Sequence, residues 1–230
     1  MLRSNGVFAS YEHFLQIAAR SQWDEASIDL SVDARAWPSV AGERLTELVA
    51  GFCVGEEGVA EHLARFFGPA ADCFAAQQRD EERHARFFAR YAATVGLTDP
   101  RAHCSDAFLE LFEVRLPEAA AGAPGEAVGL YHMVLEGVVF TAGQLALLDL
   151  VDDRLPGLRE GAELVLRDER WHVGFGARCL ADLEYDEAAI LDEGARAAAL
   201  WAPEYAERVV DGLRSRLRAV RRQSVAAAAL

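Results

Sequence analysis

Apolar residues recur with helical spacing along most of the chain, and segments that contain Gly and Pro separate the periodic stretches. The pattern predicts an all-α protein. Four long helices are predicted at residues 39–66, 70–95, 125–152 and 157–183. Shorter helices are predicted at residues 8–20, 105–121, 186–200 and 203–222. Residues 21–38 are predicted to be an irregular lead-in, with Pro38 at the start of the next helix.

The third long segment is apolar on all sides. Residues 127–151 carry almost no charge, and hydropathy alone would suggest a membrane span. Glu136 near the middle and Asp149 near the end argue against a span, because a charged side chain is costly inside a bilayer. We therefore predict the buried central helix of a bundle, and no membrane span.

The length of 230 residues predicts a single domain with a substantial core. Its parts are a lead-in segment (1–38), a bundle (39–183) and C-terminal helices (184–230). The formal net charge of −14 argues against nucleic acid as a partner. The first six residues lack an apolar signal core, so we expect a cytoplasmic location.

Two similar motifs carry the candidate chemistry, Asp80–His84 and Asp168–His172. Each contains Glu-x-x-His, and residues three apart share one face of a helix. Single carboxylates on two other predicted helices complete a set in the order Glu, Glu-x-x-His, Glu, Glu-x-x-His. This is the ligand set of ferritin-like dinuclear metal bundles. The six candidate metal ligands are Glu56, Glu81, His84, Glu136, Glu169 and His172.

The alternative is that these residues form ordinary pairs on solvated helix faces. The flanks of Glu136 argue against it, because Val134, Leu135, Val138 and Val139 surround this carboxylate with apolar groups. Four carboxylates and two imidazoles suit iron or manganese better than zinc or copper. Two such reduced metals side by side can reduce dioxygen and oxidise a strong C–H bond nearby.

Several segments together resemble the ribonucleotide reductase small-subunit superfamily. They are Trp23–Asp33, Gly55-Glu56-Glu57, Leu135-Glu136-Gly137 and the two Asp-Glu-x-x-His motifs. Within the superfamily the chain is most similar to the ligand-binding oxidases. The resemblance implies a ferritin-like four-helix bundle with flanking helices, a manganese–iron or di-iron cofactor, and a bound long-chain fatty acid or other apolar ligand. We also expect a homodimer.

The resemblance also implies roles for individual residues. Glu56, Glu81 and His84 would bind one metal, and Glu136, Glu169 and His172 the other, with Trp23 and Asp168 supporting the imidazoles. Tyr131 and Val59 match a pair that forms an ether cross-link in the oxidases. Phe88 replaces the tyrosine of a radical-storing reductase subunit, and no tyrosine follows Tyr205. Phe88, Val138 and Gln144 would line the ligand pocket, and Gln144 departs from a tyrosine of the oxidases.

The expected function is therefore a dioxygen-activating dinuclear oxidase that acts near a buried apolar pocket. One alternative is a radical-generating reductase subunit. A second is a biosynthetic N-oxygenase, which is disfavoured because Val165 stands where that group has a seventh ligand, a histidine. The non-enzyme alternative is a bundle that stores metal or carries lipid. His132 is expected to be structural and to point to another helix face than Tyr131.

Overall fold

The structure is a computed structural model that describes residues 9–63 and 70–228, and every regular element in those ranges is helical. The all-α prediction is confirmed. The α-helices are α1 (Tyr11–Arg20), α2 (Ser31–Val40), α3 (Glu43–His62), α4 (Ala71–Val95), α5 (Asp106–Glu110), α6 (Leu116–Ala121), α7 (Pro124–Val128), α8 (Thr141–Leu150), α9 (Pro156–Leu180), α10 (Glu187–Ala197) and α11 (Ala206–Ala228). Two π-helical segments, Leu111–Arg115 and Gly129–Phe140, and the short 3-10 turns Glu25–Ser27, Pro100–His103 and Pro203–Tyr205 also lie in the described ranges.

The four long predicted helices all form. They are α3, α4, the continuous run from α7 through α8, and α9. Residue 8 and residues 64–66, which the sequence pattern assigned to helices, lie outside the described ranges. The end of α4 and the start of α9 have residues that are typical of those positions. Gly96, directly after α4, adopts a φ of 81°, and Pro156 is the first residue of α9.

The prediction of an irregular lead-in up to residue 38 is wrong for its second half. Residues 31–40 form α2 with Pro38 inside its last turn, and the next helix begins at Glu43. Proline there removes only one late backbone hydrogen bond. Buried contacts offset that loss: Trp37 packs in the core, and Asp33 accepts hydrogen bonds from the backbone N–H groups of Gly157 (3.0 Å) and Leu158 (2.8 Å).

The central helix, Pro124–Leu150, is the core of the bundle. It is the one helix in the described ranges that is long and apolar enough to cross a membrane, and 72% of its most apolar window is buried inside the protein. Its middle, Gly129–Phe140, is π-helical, which the sequence pattern did not predict. Such segments widen a helix locally and often occur at functional sites.

Glycines set how closely the long helices approach. A Cβ atom at Gly161 of α9 would overlap the Phe87 ring of α4, and one at Gly176 would overlap the side chain of His132. The absence of a side chain at these two positions lets α9 pack tightly against α4 and against the central helix.

Candidate metal centre

Six side chains from four helices meet in the middle of the bundle, and we call them the six-residue box. Glu56 comes from α3, Glu136 from the π-helical segment, and each of α4 and α9 supplies a Glu-x-x-His pair. All six are at most 2% exposed. The members of the box are Glu56, Glu81, His84, Glu136, Glu169 and His172.

Each imidazole of the box faces three carboxylates through its Nδ1 atom. The Nδ1 atom of His84 lies 3.5 Å from an oxygen of Glu56, 3.5 Å from Oε2 of Glu81 and 3.4 Å from Oε1 of Glu169. The Nδ1 atom of His172 lies 3.1 Å from Oε1 of Glu81 and 3.6 Å from Oε2 of Glu169. Glu136 offers that nitrogen an oxygen at 3.7 Å. Glu81 and Glu169 therefore present one oxygen to each histidine, as two bridging carboxylates would.

The polar atoms that face the centre of the box lack hydrogen-bond partners. These atoms are both carboxylate oxygens of Glu56 and of Glu169, Oε2 of Glu81, Oε2 of Glu136, and the Nδ1 atoms of His84 and His172. Buried donors and acceptors are costly when unsatisfied. A pair of divalent or trivalent cations would satisfy them together, and a mixed oxygen and nitrogen donor set suits iron and manganese. The residues present therefore fit a dinuclear metal centre.

Two aspartates hold the imidazoles from outside the box. The Nε2 atom of His84 lies 3.4 Å from Asp168 Oδ2, and that of His172 lies 3.4 Å from Asp80 Oδ2. Tryptophan N–H groups donate to the same oxygens, Trp23 to Asp168 at 2.7 Å and Trp171 to Asp80 at 3.1 Å. Carboxylates that accept from Nε2 leave the Nδ1 lone pair directed into the box.

Arg83 joins the two aspartates. Its Nη2 atom donates to Asp80 at 2.6 Å and to Asp168 at 3.0 Å, and its guanidinium lies over the ring of Trp23. Burial alone would raise the pKa of the Asp168 carboxyl, but hydrogen bonds and charge from His84 outweigh burial and hold that pKa below its usual range. The pKa of Asp80 is lowered in the same way, with His172 as the partner. Both carboxyls thus stay ionised and keep accepting.

A further chain of hydrogen bonds reaches the box from the central helix. Gln77 lies one turn before Glu81 and donates through Nε2 to Glu81 at 3.0 Å and to Glu136 at 2.5 Å. Its Oε1 atom lies 3.0 Å from Nε2 of His132. Burial lowers the pKa of His132 to about 3, so this imidazole is neutral. His132 is thus a structural residue, and it supports the box through its hydrogen bond with Gln77.

The supporting roles of Asp80 and Gln77 were not predicted from the sequence, although the sequence contains a pattern that indicates each of them. Asp80 precedes Glu81 as Asp168 precedes Glu169, so the repeated motif itself assigns the two aspartates matching roles. Gln77 shares a helix face with Glu81 and His84, at spacings of four and seven. Which donor would meet which partner depends on how the helices pack, and the sequence does not state that.

The metal-free box cannot hold all its charges. Burial raises the pKa of Glu56 to about 8 and, together with neighbouring carboxylates, raises that of Glu136 well above its usual range. Burial also opposes ionisation of Glu81, but the two histidines outweigh it and lower the pKa of that carboxyl strongly. Burial tends to lower the pKa of His84 and His172, yet the surrounding carboxylates raise both well above the usual value. Protons on Glu56, Glu136 and the two histidines thus supply positive charge that metal cations would otherwise supply.

Tyr131 and Val59 lie together beside the box. Both are fully buried, and the Tyr131 hydroxyl donates to the backbone carbonyl of Val59 at 3.4 Å. Burial and the box carboxylates raise the pKa of Tyr131 well above its usual value, so the phenol keeps its proton. The three residues expected to line a ligand pocket, Phe88, Val138 and Gln144, are at most 1% exposed. Phe88 stacks on Phe52 with ring centroids 4.7 Å apart.

Helices that carry Glu, Glu-x-x-His, Glu and Glu-x-x-His around one buried box define a ferritin-like bundle. No protein-family model matches the chain. The chain is, however, similar in structure to solved structures of variants of an R2-like ligand-binding oxidase. One variant, with an aerobically reconstituted Mn/Fe cofactor, is 23% identical, covers 92% of this chain and 93% of its own, and has a TM-score of 0.72.

A second variant, with an anaerobically reconstituted Mn/Fe cofactor, is 24% identical over 94% of this chain and 92% of its own, with a TM-score of 0.71. A third, aerobically reconstituted with Mn/Fe, is 25% identical over 94% of this chain and 82% of its own, with a TM-score of 0.65. The chain therefore has the ferritin-like fold of the ribonucleotide reductase small-subunit kind.

Proposed function

We propose that this protein is a dioxygen-activating oxidoreductase with a dinuclear centre of manganese and iron, or of two irons. The observation that carries the proposal is the six-residue box, in which eight buried oxygen and nitrogen atoms lack hydrogen-bond partners and the side chains form two overlapping groups that could each hold a metal ion. The structural likeness to oxidases that were reconstituted with Mn/Fe supports the choice of metals. Dioxygen would be the co-substrate.

The residues of the box can be assigned to two metals. Glu56 and His84 would bind one metal and Glu136 and His172 the other. Glu81 and Glu169 would bridge the two, because each presents one oxygen to either histidine.

When bound, such a metal pair supplies the electrons that reduce dioxygen. The residues of the chain position and protect that chemistry. Asp80 and Asp168 fix the orientation of the imidazoles, and Arg83 keeps both aspartates in place. Phe88 and Val138, both buried, would help to exclude bulk water from the surroundings of the box.

Tyr131 and Val59 would form an ether bond between the phenol oxygen and the valine Cβ atom. Tyr131 loses its phenolic hydrogen and Val59 its Cβ hydrogen, while dioxygen accepts the two electrons and two protons. The 3.4 Å separation between the Tyr131 hydroxyl and the Val59 carbonyl supports this pairing. An apolar ligand such as a long-chain fatty acid, a homodimer and a cytoplasmic location remain predictions from the sequence.

The proposal is tested by loading the chain with Mn(II) and Fe(II) without oxygen and then measuring dioxygen consumption. Glu81→Gln removes the charge of a carboxylate that would bind both metals. The affinity for metal should fall at least about tenfold, because even residues that only support the metal ligands contribute that much. Glu82→Gln is the matched control, since Glu82 is exposed on the same helix. Zinc alone in the protein as purified would contradict the proposal. Metal binding without dioxygen consumption would favour the storage alternative.

A further inference from the structure

The π-helical segment that carries Glu136 ends in an irregular set of backbone hydrogen bonds, and we call residues 136–141 the π-to-α junction. Beyond this segment the chain returns to an ordinary α-helix, α8. The N–H of Thr141, the first residue of α8, donates to the carbonyls of Glu136 and Val138 and passes over the carbonyl of Gly137. A backbone carbonyl inside a protein needs a donor, so the carbonyl of Gly137 depends on another group.

Two side chains donate hydrogen bonds to the π-to-α junction. The hydroxyl of Thr141 donates to the carbonyl oxygen of Glu136 at 2.8 Å. The Nη1 atom of Arg216, which lies on α11, donates to the carbonyl oxygen of Gly137 at 2.9 Å. A Cβ atom at Gly137 would lie 3.0 Å from that nitrogen, so glycine permits this close approach. The backbone of a box residue and of its neighbour is thus held by side chains, one of which comes from the C-terminal helix.

The hydrogen bond to Gly137 is the specific polar contact of Arg216. Among the described side chains, no carboxylate lies within ion-pair distance of its guanidinium. Burial lowers the pKa of this guanidinium, because the cation is partly removed from water. A partly buried cation is unfavourable unless hydrogen bonds offset the loss of water. An arginine at this place is therefore accounted for by the carbonyl that it reaches.

We propose that Arg216 is a positioning residue for the metal centre. It holds the carbonyl of Gly137 while Thr141 holds that of Glu136, and together they direct the Glu136 side chain into the six-residue box. Glu136 and Gly137 are adjacent, so a shift of the junction would move the metal ligand itself. A ligand must stay within about 0.5 Å of its productive position to bind a metal well.

The two metal positions should respond differently to a change at Arg216. Glu136 belongs to the group that contains His172, whereas Glu56 and His84 lie on α3 and α4. Arg216 makes no hydrogen bond to the described residues of α3 or α4. Loss of its contact should therefore weaken binding of the metal next to His172 more than that of the metal next to His84. Only this consequence rests on the proposed function, because the hold on the junction needs no metal.

The first arm of the test is amide hydrogen exchange in the metal-free full chain. Arg216→Met keeps an unbranched side chain and removes its donors. Exchange at the Thr141 amide should become about fivefold faster or more, as for the loss of one hydrogen bond, while amides in the middle of α4 stay unchanged. Arg214→Met is the matched control and should change neither, since Arg214 is exposed on the same helix and pairs with Asp211 at 2.9 Å. Equal acceleration at Thr141 and in α4 would show a general loss of stability and contradict the proposal.

The second arm compares the two metal positions directly. Crystals are equilibrated with graded Mn(II), and the anomalous peaks next to His84 and His172 are measured. In Arg216→Met the Mn(II) concentration that half-fills the His172 position should rise about tenfold, a cost typical of lost support for a metal ligand, and that for the His84 position should rise less.

Thr141→Val keeps the shape of the side chain, removes its hydroxyl and should shift the same ratio in the same direction. The proposal thus stays testable if Arg216→Met does not fold. A ratio of the two affinities that equals the wild-type ratio in the folded variants would overturn it. Wild-type crystals with no Mn(II) at either position would count against the proposed function. Faster exchange at Thr141 in Arg216→Met would still support the hold on the junction in that case.

Discussion

Each histidine of the six-residue box is held by an aspartate from the other motif-bearing helix. Asp80 on α4 supports His172 on α9, and Asp168 on α9 supports His84 on α4. The two helices are therefore coupled through the box as well as through their packing. A metal would bind to imidazoles whose orientation is already fixed, which reduces the cost of ordering them.

The ether cross-link is the prediction that belongs to Tyr131 and Val59. After reduced Mn/Fe or di-iron protein meets dioxygen, the intact mass should fall by the mass of the two hydrogens lost. A protease digest should yield the two joined peptides. The physical reason is proximity, because both residues are fully buried and the Tyr131 hydroxyl lies 3.4 Å from the backbone carbonyl oxygen of Val59.

Tyr131→Phe is the control for the cross-link, since it keeps the ring and removes the phenol oxygen. That variant should bind metals and give only separate peptides. If fully loaded, oxygen-exposed wild-type protein also gives separate, unmodified peptides, the cross-link prediction is wrong.

The four paired members of the box could be named from the sequence because the spacing within each pair is a local property. Glu81 and His84 share a helix face whatever surrounds the helix, and the same holds for Glu169 and His172. The contact from Gln77 to Glu136 joins two helices and depends on tertiary packing. The sequence pattern could not indicate which helices would be neighbours at that height.

At the scale of elements, close helix packing depends on where glycines lie. Gly161 of α9 faces the Phe87 ring, whereas the atoms nearest to a Cβ atom at Gly212 of α11 would be those of the Arg216 guanidinium, at 3.6 Å or more. Glycine inside a helix normally costs about 1 kcal/mol relative to alanine. The same substitution at these two positions should therefore have opposite effects on stability.

Gly161→Ala should destabilise the protein by about 1–3 kcal/mol, because the added methyl overpacks the contact between α9 and α4. Gly212→Ala should stabilise it by about 0.5–1 kcal/mol, since the methyl meets Arg216 at ordinary contact distance. Urea unfolding of the two variants in the same metal state measures both. Equal effects in the two variants would show that the contact of Gly161 with Phe87 does not limit helix packing.

The helix positions followed from apolar periodicity, but two local features did not. Proline is common at the start of a helix, but Pro38 lies in the last turn of α2, because contacts with residues far along the chain bury Trp37 and Asp33. The π-helical geometry of Gly129–Phe140 arises inside a run that is apolar on all sides, where no period distinguishes one helical form from another.

At the scale of the whole molecule, metal and protons compete for the box. Burial raises the pKa of Glu56 from 4.5 to about 8, and the pKa values of Glu136, His84 and His172 are also raised. A pKa that is higher in the folded state gives stability that is complete below the unfolded pKa and is lost as the pH rises through the folded value. The metal-free chain should therefore lose stability between about pH 5 and 8.

Metal binding has the opposite pH dependence, because the ligands bind as deprotonated groups. The difference in melting temperature between metal-loaded and metal-free protein should widen as the pH rises through the same range. Glu56→Gln should reduce the pH dependence of the metal-free protein, whereas the exposed neighbour change Glu57→Gln should leave it unaltered. A melting temperature that chelation does not change at any pH would contradict the clustering of these carboxylates.

The contact between the C-terminal helix and the central helix illustrates what sequence alone could not predict at this scale. Arg216 lies on the C-terminal helix, and its approach to Gly137 is created only when α11 packs against the central helix. The residues named from resemblance as pocket lining, Phe88, Val138 and Gln144, are buried, and none of them lines the cavity of about 620 Å³ between α8, α9 and α11 whose lining includes Glu169.

The central claim is that the six-residue box holds two iron or manganese ions. Anomalous X-ray diffraction from crystals of the loaded protein, recorded at the manganese and iron absorption edges, tests this most directly. We predict two peaks inside the box, one next to Nδ1 of His84 and one next to Nδ1 of His172, separated by about 3.5–4 Å. A single peak, a zinc signal or density outside the box would contradict the account.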